Sequence, residues 1–288
     1  MADHADTYTF GDNDLAAERL RILARAFEPT SRAFLAHVRA QAYADTRASS
    51  AVDLGCGPGY TTRLVREVMT PLLTTGIDRS ARFLARAALT PSPAADLRFV
   101  SHDVTAPTEI VAGADLLYAR FLLTHLARPA LALRAWAGVA AMGAHLLLEE
   151  TASLSSTHPA LAQYYALVAA LQRAHGQDMT IGRTLARLAE GTGWSVRESR
   201  LTGTRLPARL MARIHVMNLR TWKTDRHAAG ICAGETLDAL DLALERLACG
   251  VDSAPPVDCR LGQVWLTRAA ACRPFPDAPA PTQSPPGR

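Results

Sequence analysis

From Ser50 onward the chain alternates short apolar runs with stretches of helical periodicity. The runs are Ala51–Leu54, Gly76–Asp78, Leu97–Val100, Ala114–Tyr118 and His145–Glu149, and the helical stretches between them include Thr61–Met69, Arg79–Leu89 and Pro129–Ala141. Short apolar runs bounded by turn residues read as strands buried on both faces. Strict strand–helix alternation predicts a mostly parallel sheet with crossover helices. Upstream, Leu15, Leu20, Leu23 and Phe27 recur near helical spacing behind Asp12 and Asn13, either of which can cap a helix. Pro29 interrupts that pattern, so two helices are expected, the second carrying Phe34, Leu35 and Val38.

After Thr151 the pattern changes. Pro159–His175 and Gly182–Gly191 read as helix, Ser195–Leu201 as strand, about 207–250 as a helical insert, and Gln263–Arg268 as a last strand. Arg273–Arg288 is rich in proline and polar residues and is expected to be disordered. The organisation predicted is a helical cap (1–48), an α/β domain (49–272) with covering inserts near 155–190 and 207–250, and a tail (273–288).

Composition narrows the function classes. The 288 residues are 49% hydrophobic and 20% charged, as expected of a soluble globular enzyme. The net charge of +4 comes without clustered basic runs, and Lys223 is the only lysine, so nucleic acid is not an expected partner. No apolar stretch reaches the roughly 20 residues of a membrane span. Met1–Asp14 is polar and acidic, without the apolar core of a secretory signal. The five cysteines, Cys56, Cys232, Cys249, Cys259 and Cys272, show neither disulfide nor zinc spacing. A cytoplasmic protein without membrane association or a metal site is expected.

The chemistry is concentrated in Ala51-Val-Asp-Leu-Gly-Cys-Gly-Pro-Gly-Tyr60. A strand enters a glycine-rich turn and a helix follows at once, offering backbone close approach and free N–H groups to a ligand. Dinucleotide sites place GxGxxG here. This turn has GxGxG, with Tyr60 where the third dinucleotide glycine belongs and Asp53 two residues before the first glycine. A strand-end carboxylate would repel phosphate and can help hold an ammonium group, so a nucleoside carrying an amino acid fits better than a dinucleotide.

Val52–Tyr60 resembles the first motif of class I S-adenosylmethionine methyltransferases, and later segments fall where that family places its elements. The resemblance spans about Tyr8 to Arg268. It implies a Rossmann-like α/β sandwich: a mostly parallel seven-stranded sheet with an N-terminal helical cap and helical inserts. It further implies that Asp53, Gly55, Cys56 and Gly57 cradle S-adenosylmethionine, that Asp78 takes the ribose hydroxyls beside Arg79, and that Asp103 and Val104, after His102, meet the adenine. Ala119 and Arg120 would border the cofactor at the end of the fourth strand. Tyr8-Thr-Phe10-Gly-Asp12 resembles a subset of bacterial natural-product enzymes whose N-terminal helices fold over the cofactor, which brings Tyr8 or Phe10 to it. Those aromatics serve equally well as a staple for the first helix.

Methyl transfer asks the protein to orient, desolvate and in some cases remove a proton. His125 and Tyr118 are the candidate catalytic residues: a histidine near neutral pKa suits general-base work, and both follow or end the fourth strand. A histidine on a Leu-rich segment is also an ordinary packing residue. Glu149 or Glu150 should look into the cleft, and His158, Tyr164, Tyr165, Arg220 and Trp222 are candidate substrate-pocket residues. The expected acceptor is a small organic molecule, a secondary metabolite, methylated on oxygen, nitrogen or carbon. Asp115-Leu-Leu-Tyr118 lacks the Asn/Asp-Pro-Pro-aromatic pattern of enzymes that methylate amino groups of bases. The alternative is a cofactor-binding protein of the same fold with a non-methylating role. The 207–250 insert suits a substrate lid or a homodimer surface.

Overall fold

The computed structural model describes residues 11–89, 96–106 and 111–268. Tyr8, Phe10 and the tail from Arg273 lie outside them. One seven-stranded sheet organises the chain, in the order β3-β2-β1-β4-β5-β7-β6. Its strands are β1 (Ser50–Leu54), β2 (Leu73–Asp78), β3 (Leu97–Ser101), β4 (Leu116–Arg120), β5 (His145–Ser155), β6 (Trp194–Leu206) and β7 (Val257–Arg268). The first five are parallel, and β7 enters antiparallel between β5 and β6. The mostly parallel seven-stranded expectation therefore holds. Connections from β1 run outward to β2 and β3, whereas β4 and β5 lie on the other side of β1. Ligands of open α/β sheets bind at such a switch point, beyond the carboxyl ends of the strands.

Two helical layers cover the sheet, and strand alternation assigns residues between them. On one face, Tyr118, Leu116 and Leu147 pack with Phe34, Leu35 and Val38 of α1 (Asp14–Ala42) and with Leu64 and Val65 of α2 (Tyr60–Met69). On the other, Leu117, Ala119, Leu146 and Leu148 pack with Leu133 and Trp136 of α4 (Pro129–Val139). Each such large apolar side chain contributes about 1.5–3 kcal/mol by leaving water. The short α3 (Ala81–Ala88) follows β2, and Ser80 caps it by accepting the Phe83 N–H.

α1 is one helix, not two. Pro29 lies inside it and denies the preceding turn one hydrogen bond. Buried Phe27, Ser31, Phe34 and Leu35 on both sides hold the helix against the body, and the Thr30 hydroxyl donates back to the Phe27 carbonyl at 2.9 Å. Packing overrides the local breaker. Asn13 caps the start, its Oδ1 accepting the Ala16 N–H.

The region after β5 forms a helical annex with its own apolar core: α5 (Pro159–Ala174), α7 (Ala208–Trp222), the single turn α8 (Ala228–Ile231) and α9 (Gly234–Cys249). The helix expected over Gly182–Gly191 shrinks to the 3-10 turn Ile181–Arg183 and the four-residue α6 (Leu185–Leu188). Close backbone contact explains the difference. A Cβ on Gly182 would stand 2.4 Å from the Glu150 carbonyl oxygen, and one on Gly262 would collide with Gly182 itself. The turn is seated directly on β5 and β7, leaving no room for a helix cylinder. No helix among the described residues is long and apolar enough to cross a membrane, and they contain no His/Cys/Asp/Glu cluster able to hold a metal.

Candidate active site

A cavity of about 720 Å³ opens at the switch point, within the range of small-molecule sites. Its floor is the loop after β1. Gly55, Gly57 and Gly59 have φ of +69°, +52° and +81°, the left-handed region where side chains are strained. Space adds a second requirement at Gly55, where a Cβ would lie 2.7 Å from Leu122, and at Gly59, where it would meet the Phe99 ring at the same distance. Left-handed Gly59 starts α2 without a side-chain cap, leaving first-turn N–H groups for a ligand.

Asp78 ties two loops together. Its Oδ2 accepts the Gly57 N–H and its Oδ1 the Ser80 N–H, both at 2.8 Å. A carboxylate has about four acceptor sites, so capacity remains for hydroxyl donors. Burial pushes the Asp78 pKa up against those two bonds. The Ser80 hydroxyl in turn donates to Asp12 and joins the chain leading into α1. At the end of β3, Asp103 accepts both the N–H and the hydroxyl of Thr105 at 2.8 Å. The Trp136 indole N–H donates to the Val104 carbonyl at 2.7 Å and pins that loop to α4.

Of the residues singled out in the sequence, the cavity wall contains Gly55, Cys56, Gly57, Asp78, Arg79, His102, Asp103, Val104, Arg120 and His125. Asp53 is not on the wall. It is 1% exposed, accepts the Thr61 and Thr62 hydroxyls at 2.6 and 2.7 Å, and reaches the cavity only through Thr61. Its pKa is pushed up to about 6 by burial, against the lowering effect of those hydroxyls. Asp53 therefore fixes the first turn of α2.

Tyr118 and Ala119 are corrected. Both are fully buried in β4 and point to the two helical layers, away from the cavity. The Tyr118 hydroxyl donates to Glu149 Oε1, and Gln263 Nε2 donates to Glu149 Oε2 at 2.6 Å. Tyr118 is thus a partner of a buried carboxylate. Neither Glu149 nor Glu150 reaches the cleft. Glu150 faces the opposite side of β5 and accepts the Leu122 and Leu123 N–H groups at 2.8 and 2.6 Å. Burial pushes its pKa up to about 8, against the lowering effect of those N–H groups.

His125 lies on a 3-10 turn, Leu123–His125, not on an α-helix. Burial is the first cause that lowers its pKa to about 3, followed by the charges of Arg19 and Arg79. The imidazole on the wall is uncharged and weakly basic. Arg120 donates to the Ser31 hydroxyl at 2.9 Å, and its guanidinium lies 5.5 Å from the Phe121 ring. Phe121 itself has φ of +54° and meets Phe27 edge-on at 5.2 Å. Strain of this kind concentrates at functional sites.

The other half of the cavity is helical. α1 supplies Leu23 and Phe27, α5 supplies Tyr164, Tyr165, Val168 and Gln172, and α7 supplies Met211, Ile214, His215 and Asn218. The expected pocket residues Tyr164 and Tyr165 belong here. Arg220 points outward to Asp241 and Glu245, Trp222 is core, and His158 precedes α5, away from the wall. Sequence reasoning missed Gln172, His215 and Asn218. The available signal was the i, i+3, i+4, i+7 recurrence of 211, 214, 215 and 218, which puts two polar residues on an otherwise apolar helix stripe.

The family model described as "Methyltransferase domain" matches residues 13–199, well over half of the chain. This chain belongs to the methyltransferase-domain family. A trans-aconitate 2-methyltransferase from Klebsiella pneumoniae (strain 342) is 41% identical over 78 residues, which cover 26% of this chain and 28% of that protein. The matching segment spans far less than two thirds of that relative. In fold, the methyltransferase is similar to BH2331 of Bacillus halodurans C-125, a candidate methyltransferase, with 12% identity, a TM-score of 0.53, and 82% and 99% of the two chains covered. The Bacillus subtilis protein YcgJ gives 13% identity, a TM-score of 0.52, and 83% and 99% coverage.

The cavity suits S-adenosylmethionine, the cofactor that the resemblance of the glycine loop implies. Three left-handed glycines, an uncapped helix start and the half-buried Asp78 carboxylate with spare acceptor capacity suit a nucleoside bearing an amino acid. No diphosphate contact is implied.

Proposed function

We propose that this methyltransferase transfers the methyl group to an oxygen, nitrogen or carbon atom of a small organic molecule of the secondary-metabolite kind. One observation carries the proposal: the glycine-loop floor and the helix-walled apolar half belong to a single cavity. That half can hold a second, largely apolar molecule beside the cofactor. In support, α7 of the 207–250 insert lines the cavity, which favours a substrate lid.

In this reading the loop of Gly55, Cys56 and Gly57 cradles the amino-acid part of the cofactor. Asp78 accepts the ribose hydroxyls, worth more than neutral hydrogen bonds because the acceptor is charged. Asp103 and Val104 receive the adenine, and Arg79, His102 and Arg120 border the pocket. Asp53 acts as a positioning residue through Thr61. The bound cofactor supplies an activated methyl on a good leaving group, so the chain's task is orientation and exclusion of water. His125 is assigned to take up a proton where the acceptor releases one. Its weak basicity limits that contribution to the low end of general-base effects.

A screen with methyl-labelled cofactor over small alcohols, phenols, amines and carbanion precursors, with transfer RNA and DNA as macromolecular arms, tests the proposal. Label in a small acceptor is expected. Label in nucleic acid alone would contradict it. Tight cofactor binding with no transfer to any arm would favour the non-methylating alternative, to which the weakly basic His125 lends its one support.

A further inference from the structure

The helical half of the cavity carries a small polar group that the cofactor reading does not use. Tyr164, Tyr165 and Gln172 recur along one face of α5, and His215 faces them from α7. The Tyr164 and His215 rings stack with centroids 4.1 Å apart and 23° between planes. Tyr165 meets the same imidazole edge-on, its hydroxyl 3.1 Å from His215 Nε2. This pairing fixes the ring and leaves Nδ1 for another partner. His215 and Gln172 are 4% and 2% exposed, yet His215 Nδ1 and Gln172 Oε1 have no hydrogen-bond partner within the protein. Buried polar atoms normally have one. The two atoms themselves carry almost no exposed surface, but both residues line the cavity, so a small side-chain rotation on binding lets a bound molecule supply it.

Charge narrows what that molecule is. Among the described wall residues, the carboxylates are Asp12, on the segment before α1 and hydrogen-bonded to Ser80, and Asp78 and Asp103, after β2 and β3. The charged side chain of the helical half is Arg19, 4% exposed, whose positive field reaches Tyr164, His215 and His125. An ammonium group placed here would be desolvated with no carboxylate among the described residues of this half to meet it. Burial keeps His215 itself uncharged, with a pKa lowered to about 3. A neutral imidazole and an amide oxygen together match a group that both donates and accepts, which a hydroxyl does.

Resting on the reading of this half as the acceptor site, we infer that His215 and Gln172 anchor a hydroxyl group of an apolar, uncharged acceptor, and that cationic amines are rejected. Leu23, Phe27, Val168 and Met211 pack its apolar body. His215 and Gln172 are specificity-determining residues that touch the acceptor; neither is required for the cofactor.

The test uses three probes of one skeleton: phenethyl alcohol, protonated phenethylamine and phenylacetate. Each is titrated calorimetrically into the full-length protein saturated with S-adenosylhomocysteine. The alcohol is expected to bind about tenfold or more tighter than the amine. His215→Phe and Gln172→Leu should each weaken alcohol binding about tenfold while S-adenosylhomocysteine affinity stays at the wild-type value. If His215→Phe does not fold, Gln172→Leu and the wild-type preference carry the test. Amine binding equal to or tighter than alcohol, no alcohol binding, or alcohol affinity unmoved by the variants would overturn the inference. Tighter phenylacetate binding would transfer recognition to Arg19 and overturn it too. S-adenosylhomocysteine titrated alone separates the two levels: its failure to bind removes the methyltransferase-site reading, whereas normal binding with the wrong probe order removes only this inference.

Discussion

The two halves of the cavity are made differently. The cofactor half is built from turns: left-handed glycines after β1, the Asp78 carboxylate after β2 and the Asp103 loop after β3, joined by backbone N–H bonds to side chains. The proposed acceptor half is built from helix faces, where apolar side chains of α1, α5 and α7 enclose a few buried polar groups. In the first, backbone geometry does the recognising, so few residue types are tolerated. In the second, as proposed, side chains recognise, and several of them, such as Phe27, Tyr164 and Val168, also belong to the annex core. The contrast teaches that one cavity can keep a fixed cofactor grip while side chains of its other wall set specificity.

The largest expected effect lies in the cofactor half. Gly57→Val puts a β-branched residue at φ +52° on the cavity floor, with only Leu20 near its Cβ, at an ordinary 3.5 Å. S-adenosylhomocysteine affinity should fall about a hundredfold or more, read by calorimetry, while circular dichroism stays native. Asp78→Asn removes the charge from the ribose acceptor and should weaken the same affinity about tenfold to a hundredfold. Unchanged affinity in either variant would break the comparison.

Tyr118→Phe sharpens it from the core side. Glu149 would lose a buried donor, which should cost about 1–3 kcal/mol in denaturant unfolding without altering cofactor affinity. Loss of affinity at constant stability would return Tyr118 to the site.

The smallest effect concerns pH. Glu150 has a folded pKa raised to about 8 from 4.5, so its stabilising contribution is full below pH 4.5 and is lost as pH rises through 8. His125 and His215, lowered from 6.5 to about 3, act oppositely: their contribution is present above pH 6.5 and lost as pH falls toward 3. Asp53, raised to about 6 from 3.8, adds to the Glu150 side between those values. Between about pH 7 and 8 Glu150 outweighs the remaining histidine contribution, and stability should fall with a net slope of up to about 0.8 kcal/mol per pH unit. Glu150→Gln keeps an oxygen for the Leu122 and Leu123 N–H groups and should flatten that limb. An unchanged slope in urea midpoints across this range would remove Glu150 as its cause.

What the sequence revealed follows the same division. The strand positions and the glycine loop were legible because short apolar runs mark buried strands and positive φ restricts residue type, whereas Asp78 and Asp103 came into view only through the family resemblance. Tyr118 was misread because its place at a strand end hides which layer it faces; its partner Glu149 is 31 residues away in the chain and is held in turn by Gln263. Pro29 predicted a break that long-range burial overrode. His215 and Gln172 were invisible singly, since an isolated polar residue on an apolar helix stripe is usually packed in a core. Only the pairing of α5 with α7 around a cavity gives them a shared purpose.

The central claim is that the Gly55–Gly59 turn and Asp78 grip an adenosyl amino acid. It is tested most directly by calorimetric titration of S-adenosylmethionine, S-adenosylhomocysteine and NADH into wild type and Gly57→Val. Stoichiometric binding of the two adenosyl ligands to wild type, lost in the variant, with no heat from NADH, is the predicted result. Binding of NADH in their place, or equal adenosyl binding by Gly57→Val, would contradict the account.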